Sequence, residues 1–241
     1  MIKDEKQKIR EHVWNKMEKE GIARFPLPCK GRIPNFIGAE KAAEKLRQLP
    51  EYRNAKVIFC NPDSPQRSVR EMILKDGKIL VMATPRLKEG LLILDPSKIP
   101  KNKYREASTI RGAFKWGVKV HPSKIKIDVK ITGSVAVSPK GGRVGKGGGY
   151  SDLEYGILKE YGAIDEKTPI ITTVHAVQIV DDIPMTEHDI PVDVIITPTK
   201  IIRTNTKYNK PKGILWEHLT EEKIEKIPLL KHLRKTRTLN A

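Results

Sequence analysis

Four glycines within five positions, Gly145, Gly147, Gly148 and Gly149, make the segment from Arg143 to Asp152 the most chemically suggestive in the chain. Glycine permits positive φ and removes every Cβ that would hold a ligand away from the backbone. Successive N–H groups in such a turn can line a concave anion site. A helix expected to start near Ser151 adds its N-terminal dipole and unpaired donors. Arg143 and Lys146 place positive charge beside this nest, and Asp152 could cap the helix or hold a divalent ion. The chemistry indicated is phosphate binding. The spacing is not that of the common phosphate loop, which needs Gly-Lys-Ser/Thr after a four-residue gap. Nor is it the dinucleotide fingerprint, which needs an acidic partner ~20 positions on. A tight strand-to-helix turn with a solvated Arg and Lys would read the same way, so that alternative stays open.

Other reactive residue types are sparser. His188, Asp189 and Asp193 fall in a polar loop before VDVIITP, at a strand edge of the kind where α/β proteins place ligands; loop structure alone also accounts for them. His175, within an apolar run, reads as a core histidine. Trp14, Trp116 and Trp216 are too scattered for a base-stacking platform. Cys29 and Cys60 have no Cys/His cluster around them and read as inert thiols. No Ser-His-Asp signature is present.

Positioning these residues requires strands and helices in alternation. Residues 3–20 read as an amphipathic helix closed by Gly21, and about 38–49 as a second helix closed by Pro50. AKVIFC, a helix through SVREMILKD and the strand KILVMATP form a βαβ unit, which implies parallel strands. LLILD adds a further strand and a helix is expected near 105–115. The strand-like IDVKITGSVAVS then leads to the glycine segment and the helical LEYGILKEYG. PIITTVHAVQIV and VDVIITPTKII are two more β-rich runs, and a charged helix is expected over about 220–235. This alternation indicates an α/β protein with a mainly parallel sheet.

The chain has 241 residues, 46 Lys+Arg against 29 Asp+Glu and a formal charge of +17. Its apolar content, gathered in runs, excludes general disorder. No apolar run reaches the ~18–20 residues of a bilayer span, and the charged start MIKDEKQKIR is not a signal peptide. Two cysteines are too few for a disulfide framework, which suits a reducing cytoplasm. The charge admits RNA as a partner. Its interleaving with Glu and Asp fits solvated helix faces instead.

The glycine segment also resembles a known family. RVGKGGGYSD is similar to the Arg-hydrophobic-Gly-x-Gly-x-Gly-Tyr/Phe-Tyr-Asp hallmark of the 5-formyltetrahydrofolate cyclo-ligases, or methenyltetrahydrofolate synthetases. Lys6 and Arg10 match that family's Lys-x-x-x-Arg pair, and TEHDIPVDVIITP resembles its C-terminal segment. RIPNF, GKGGGYSDLEY and HDIPVD look closer to an archaeal branch and to an animal branch fused to an RNA-binding domain. The resemblance implies a NagB/RpiA/CoA-transferase-like three-layer α/β fold with a mainly parallel sheet, one domain over 1–241. It implies an enzyme using ATP and Mg²⁺ to convert 5-formyltetrahydrofolate to 5,10-methenyltetrahydrofolate through phosphoryl activation of the formyl oxygen. Lys6, Arg10, Arg143 and Lys146 would then contact ATP phosphates, with Arg143 and Lys146 as the catalytic cations. Gly145, Gly147, Gly148 and Gly149 would cradle the phosphates, Tyr150 would pack on a ligand ring, and Asp152 would hold Mg²⁺. Lys6 and Arg10, at i and i+4, share one helix face. The partners implied are ATP and a reduced folate or related pterin, with no membrane. Two other readings stand beside this one: a non-catalytic nucleotide- or RNA-binding module of the same fold, and an ATP-dependent ligase acting on another pterin-like substrate.

Overall fold

The β-rich runs of the sequence become strands of one large sheet, seen in a computed structural model that describes residues 1–239; Asn240 and Ala241, at the end of the expected domain, lie outside the described residues. In chain order the strands are β1 Ala23–Arg24, β2 Asn35–Phe36, β3 Val57–Cys60, β4 Ile79–Ala83, β5 Leu91–Leu94 and β6 Val118–Val120. They continue with β7 Val129–Thr132, β8 Ala136–Val137, β9 Arg143–Val144, β10 Ile170–Thr173, β11 Val194–Ile196 and β12 Ile201–Arg203. Among the described residues, eight of them form a sheet of order β12-β11-β10-β7-β3-β4-β5-β6. The middle, from β11 through β10, β7 and β3 to β4, is parallel. Both margins turn antiparallel, at β12 on one side and at β5 and β6 on the other. Two short antiparallel ribbons, β1–β2 and β8–β9, stand apart from the sheet.

Strand periodicity explains why helices cover both faces. Ile58 and Cys60 enter one apolar cluster while Phe59 enters the other, and Leu80 and Met82 are likewise separated from Val81 and Ala83; adjacent strand residues point to opposite faces. The first cluster is closed by α1 (Ile2–Lys19), α2 (Ala39–Lys45) and α4 (Arg67–Lys75), with the short α3 (Pro50–Asn54) between the last two. The second is closed by α7 (Tyr150–Glu160) and by α8 (Glu221–Lys226) and α9 (Pro228–Leu239). The remaining helices, α5 (Tyr104–Ala107) and α6 (Ile110–Trp116), precede β6. Helix α1 is fixed by Val13, Trp14 and Met17, all buried, each worth roughly 1.5–3 kcal/mol of burial. Gly21, at φ +65°, ends it as expected.

Several expected elements differ. The helix expected near 105–115 is two, because Thr109 caps α6 by accepting a bond from the Gly112 N–H at 2.9 Å. At Gly112 a Cβ would lie 1.8 Å from the Glu106 carbonyl, so α5 and α6 meet too closely for a side chain there. VDVIITPTKII is a hairpin, turned where the Thr197 hydroxyl accepts from the N–H groups of Thr199 and Lys200. The last helix breaks at Ile227, with Pro228 opening α9. His175 is not in a strand: it caps a 3-10 turn, its ring accepting from the Val177 N–H at 3.2 Å. Among the described residues no helix is long and apolar enough to cross a membrane.

Candidate active site

Because β3, β4, β7 and β10 are parallel, their carboxyl ends open on one side of the sheet. The chain moves outward one way from β3 to β4 and the other way from β7 to β10. The crevice between β3 and β7 is therefore a topological switch point, where open α/β sheets bind ligands. Asn61 and Asp63 follow β3, Thr84 and Arg86 follow β4, and Gly133 follows β7.

The glycine segment lies over this crevice. It is entered from β9, a two-residue strand of the β8–β9 ribbon, and not from the main sheet. Gly147 and Gly149 adopt φ of +104° and +67°, where other residues would be strained. Gly149 is the N-cap of α7, and no side chain caps this helix, which leaves its first-turn N–H groups to a ligand.

Each expected cation has a defined partner. The buried Lys6 ammonium contacts Asp189, whose carboxylate also accepts from the Thr186 N–H at 2.7 Å and hydroxyl at 2.6 Å. Burial pushes the Asp189 pKa up, but these donors together hold it below the usual carboxylate range. Arg10 donates through Nε to the Gly145 carbonyl at 2.7 Å. Arg143 is buried; its Nη2 and Nε donate to the Gly133 carbonyl at 2.8 and 3.1 Å, and its Nη1 lies 3.5 Å from Asp152 Oδ1. Asp152 Oδ1 also accepts from the Ile190 N–H at 3.0 Å. Arg143 and Asp152 thus tie the end of β7, the start of α7 and the HDIPVD loop together. Lys146 points the other way, 3.0 Å from Asp63.

Two cavities flank the segment, of about 460 and about 610 Å³. Arg143, Gly145, Gly149 and Asp152 line both. The first holds Lys6, Arg10 and Gly147, the second Lys146, Gly148 and Tyr150. The structure therefore brings Lys6, Arg10 and Arg143 to one chamber and separates Lys146 and Tyr150 from them by the loop itself. The second chamber also draws on Arg32, Asn61, Asp63, Arg86 and Glu154. His188 and Asp189 line the first chamber. Asp193 does not: it accepts from the Ile170 N–H at 2.8 Å and pairs with Lys210.

Sequence reasoning missed the floor of the site. Lys130, mid-strand between Val129 and Ile131, is fully buried on the α7 face, 4.4 Å from the Phe59 ring centroid and 3.7 Å from Glu154. Glu154 accepts from Asn61 Nδ2 at 2.6 Å, and Asn61 Oδ1 accepts from the Gly133 N–H at 3.3 Å. Burial pushes the Lys130 ammonium down to about 8 against the pull of Glu154, and pushes the Glu154 carboxyl up. A lysine interrupting an apolar strand was the available signal. Cys29 and Cys60 are buried free thiols whose pKa is pushed up to about 12, chiefly by burial, which favours the thiol over the thiolate.

Residues 2–198 match the family model described as the 5-formyltetrahydrofolate cyclo-ligase family. A methenyltetrahydrofolate synthase domain-containing protein of Bos taurus is 43% identical over 235 residues, covering 95% of this chain and 62% of that protein. The chain thus spans less than two thirds of that relative. The 5-formyltetrahydrofolate cyclo-ligase of Escherichia coli (strain K12) is 32% identical over 93 residues, covering 35% of this chain and 48% of that one. The NMR structure of Aquifex aeolicus 5,10-methenyltetrahydrofolate synthetase aligns with a TM-score of 0.52 at 20% identity, over 85% of this chain and 95% of that one, a likeness of fold. With a match that takes in α1, the switch point, the glycine segment and the HDIPVD loop, the chain belongs to the 5-formyltetrahydrofolate cyclo-ligase family.

Proposed function

We propose that the chain is an ATP-dependent cyclo-ligase converting 5-formyltetrahydrofolate to 5,10-methenyltetrahydrofolate, with ADP and phosphate as the other products. The observation that carries this reading is the wall shared by the two chambers. A nucleotide in the first and a reduced folate in the second would meet across Arg143, Gly145, Gly149 and Asp152. Phosphoryl transfer asks for positioning and neutralised charge more than for a protein nucleophile, and these are the resources on offer. Arg10 and, beside it, Lys6 in its pair with Asp189 face the phosphates from the α1 side, and the α7 N-terminus with the loop N–H groups cradles them. Arg143 holds the loop in register with the sheet while facing both chambers, and Lys146 meets the phosphoryl group from the folate side. The γ-phosphoryl group passes to the formyl oxygen, N10 attacks the formyl carbon and loses its proton, and phosphate departs with that oxygen. Tyr150 offers its ring to the pterin.

The donor set suits Mg²⁺ held mainly by phosphate oxygens and water. Asp152 supplies one carboxylate, a hard ligand of the preferred kind, and no group of three or more His, Cys, Asp or Glu is placed to hold a metal among the described residues. When bound there, Mg²⁺ would neutralise charge on the transferring phosphates. The proposed setting is the cytoplasm, in keeping with two free buried thiols. Helices on both faces of the sheet support a NagB/RpiA/CoA-transferase-like three-layer domain spanning the whole chain. The test is the absorbance of the methenyl product with 5-formyltetrahydrofolate, ATP and Mg²⁺. Product formation dependent on all three is expected; folded, ATP-binding protein that forms none would refute the folate assignment.

A further inference from the structure

The first chamber is closed on one side by chain that the family model does not reach. The match ends at residue 198, yet Ile214, Leu215, His218, Leu219 and Lys223 line that chamber. This wall is anchored: Ile224, Ile227, Leu229 and Leu230 are buried in the α7-side cluster. Thr220 caps α8 by accepting from the Lys223 N–H at 3.2 Å, and Arg234 of α9 bridges Glu221 and Glu225 of α8 at 2.6 and 2.7 Å.

The anchoring sets one ammonium against the glycine segment. Lys223 Nζ donates to the Gly148 carbonyl at 3.2 Å and stands 4.7 Å over the Tyr150 ring. From the opposite side Arg10 donates to the Gly145 carbonyl at 2.7 Å, so two cations hold the segment between them. Lys6 is neutralised by Asp189 and Lys146 by Asp63. Lys223, half-buried, has no carboxylate within 4.0 Å among the described residues. An ammonium carries three donors, and one of them is used on Gly148. Asp152 attracts this ammonium only from beyond contact distance; partial desolvation without a paired counter-charge is costly, and an arriving anion lowers that cost.

We propose that Lys223 is a phosphate-contacting residue, and that residues 213–226 form a wall of the nucleotide chamber supplied from beyond the family-matched region. The inference rests on reading the first chamber as the ATP site. It is tested by calorimetric titration of ATP and of adenosine into the full chain, as wild type, Lys223→Ala and Lys223→Arg, with thermal melts to check folding. The alanine variant should bind ATP about tenfold or more weakly, the scale of one charge-assisted hydrogen bond. Adenosine binding should be unchanged, and the arginine variant should keep most of the ATP affinity. ATP binding by Lys223→Ala within about twofold of wild type overturns the proposal, as does an equal loss for adenosine, which would mark a structural role. Loss of ATP binding by Lys223→Arg equal to that of the alanine variant overturns it too. A wild type that binds no ATP defeats the reading of the chamber itself.

Discussion

At the scale of single residues, the buried pair of Lys130 and Glu154 shows how the site spends stability. Both charges lie under the switch point, and among the described residues the Lys130 ammonium has no hydrogen-bond partner. Such pairs cost more in desolvation than their attraction returns, while removing one partner leaves an uncompensated charge. Lys130→Met alone should destabilise the fold by about 3–5 kcal/mol. Combined with Glu154→Gln, which keeps an acceptor for Asn61, it should recover most of that loss. Urea midpoints of the two variants at a constant slope decide the matter. Asp189 gives a pH dependence of known sign. Its folded pKa is depressed, so it contributes stability above the ordinary aspartate range and loses it as pH falls through the folded value. Lys6→Met should therefore flatten the acid limb of the stability curve below about pH 4; an unaltered limb would count against the Lys6–Asp189 contact. Arg143 uses two nitrogens on the Gly133 carbonyl and a third toward Asp152. A lysine has no such fork, so Arg143→Lys should lower turnover at least tenfold although the charge is kept.

At the scale of elements, the glycine segment and α7 act as one unit. Gly149→Ala places a Cβ in ordinary contact, 3.8 Å from Lys223 Nζ, but forces an L-residue to φ +67°. The cost should be about 1–2 kcal/mol of stability. Turnover should fall further than that loss explains, because the α7 N-terminus would be re-aimed; equal falls in both would contradict a phosphate-cradling role. The glycine segment between the two chambers was legible as one unit, since clustered glycines, flanking cations and a helix start lie together along the chain. The second chamber was not. Arg32, Asp63, Arg86 and Tyr150 come from four segments far apart in the sequence, and only the fold brings them together. The βαβ unit around SVREMILKD was readable from its periodicity. The hairpin turns at 197–200, where the Thr197 hydroxyl accepts from backbone N–H groups, inside a segment that otherwise reads as one β-rich run. The closing wall at 213–226 carries too little pattern to announce its position.

At the scale of the whole molecule, two chambers sharing one wall imply two separable binding steps. Lys146 faces the second chamber, paired with Asp63, so Lys146→Ala should affect the KM for the folate more than the KM for ATP. A reversed split would place the nucleotide on the wrong side of the loop. The charge of +17 resolves in part into local pairs, such as Arg47 with Asp76 and Arg203 with Glu51, while Lys6, Arg10, Arg143 and Lys223 gather at the first chamber. The central claim is that the γ-phosphoryl group crosses the shared wall to the formyl oxygen. Substrate carrying ¹⁸O in its formyl group, turned over with ATP, tests this most directly. Label recovered in the released phosphate is the expected result; label recovered in water, with unlabelled phosphate, would contradict it.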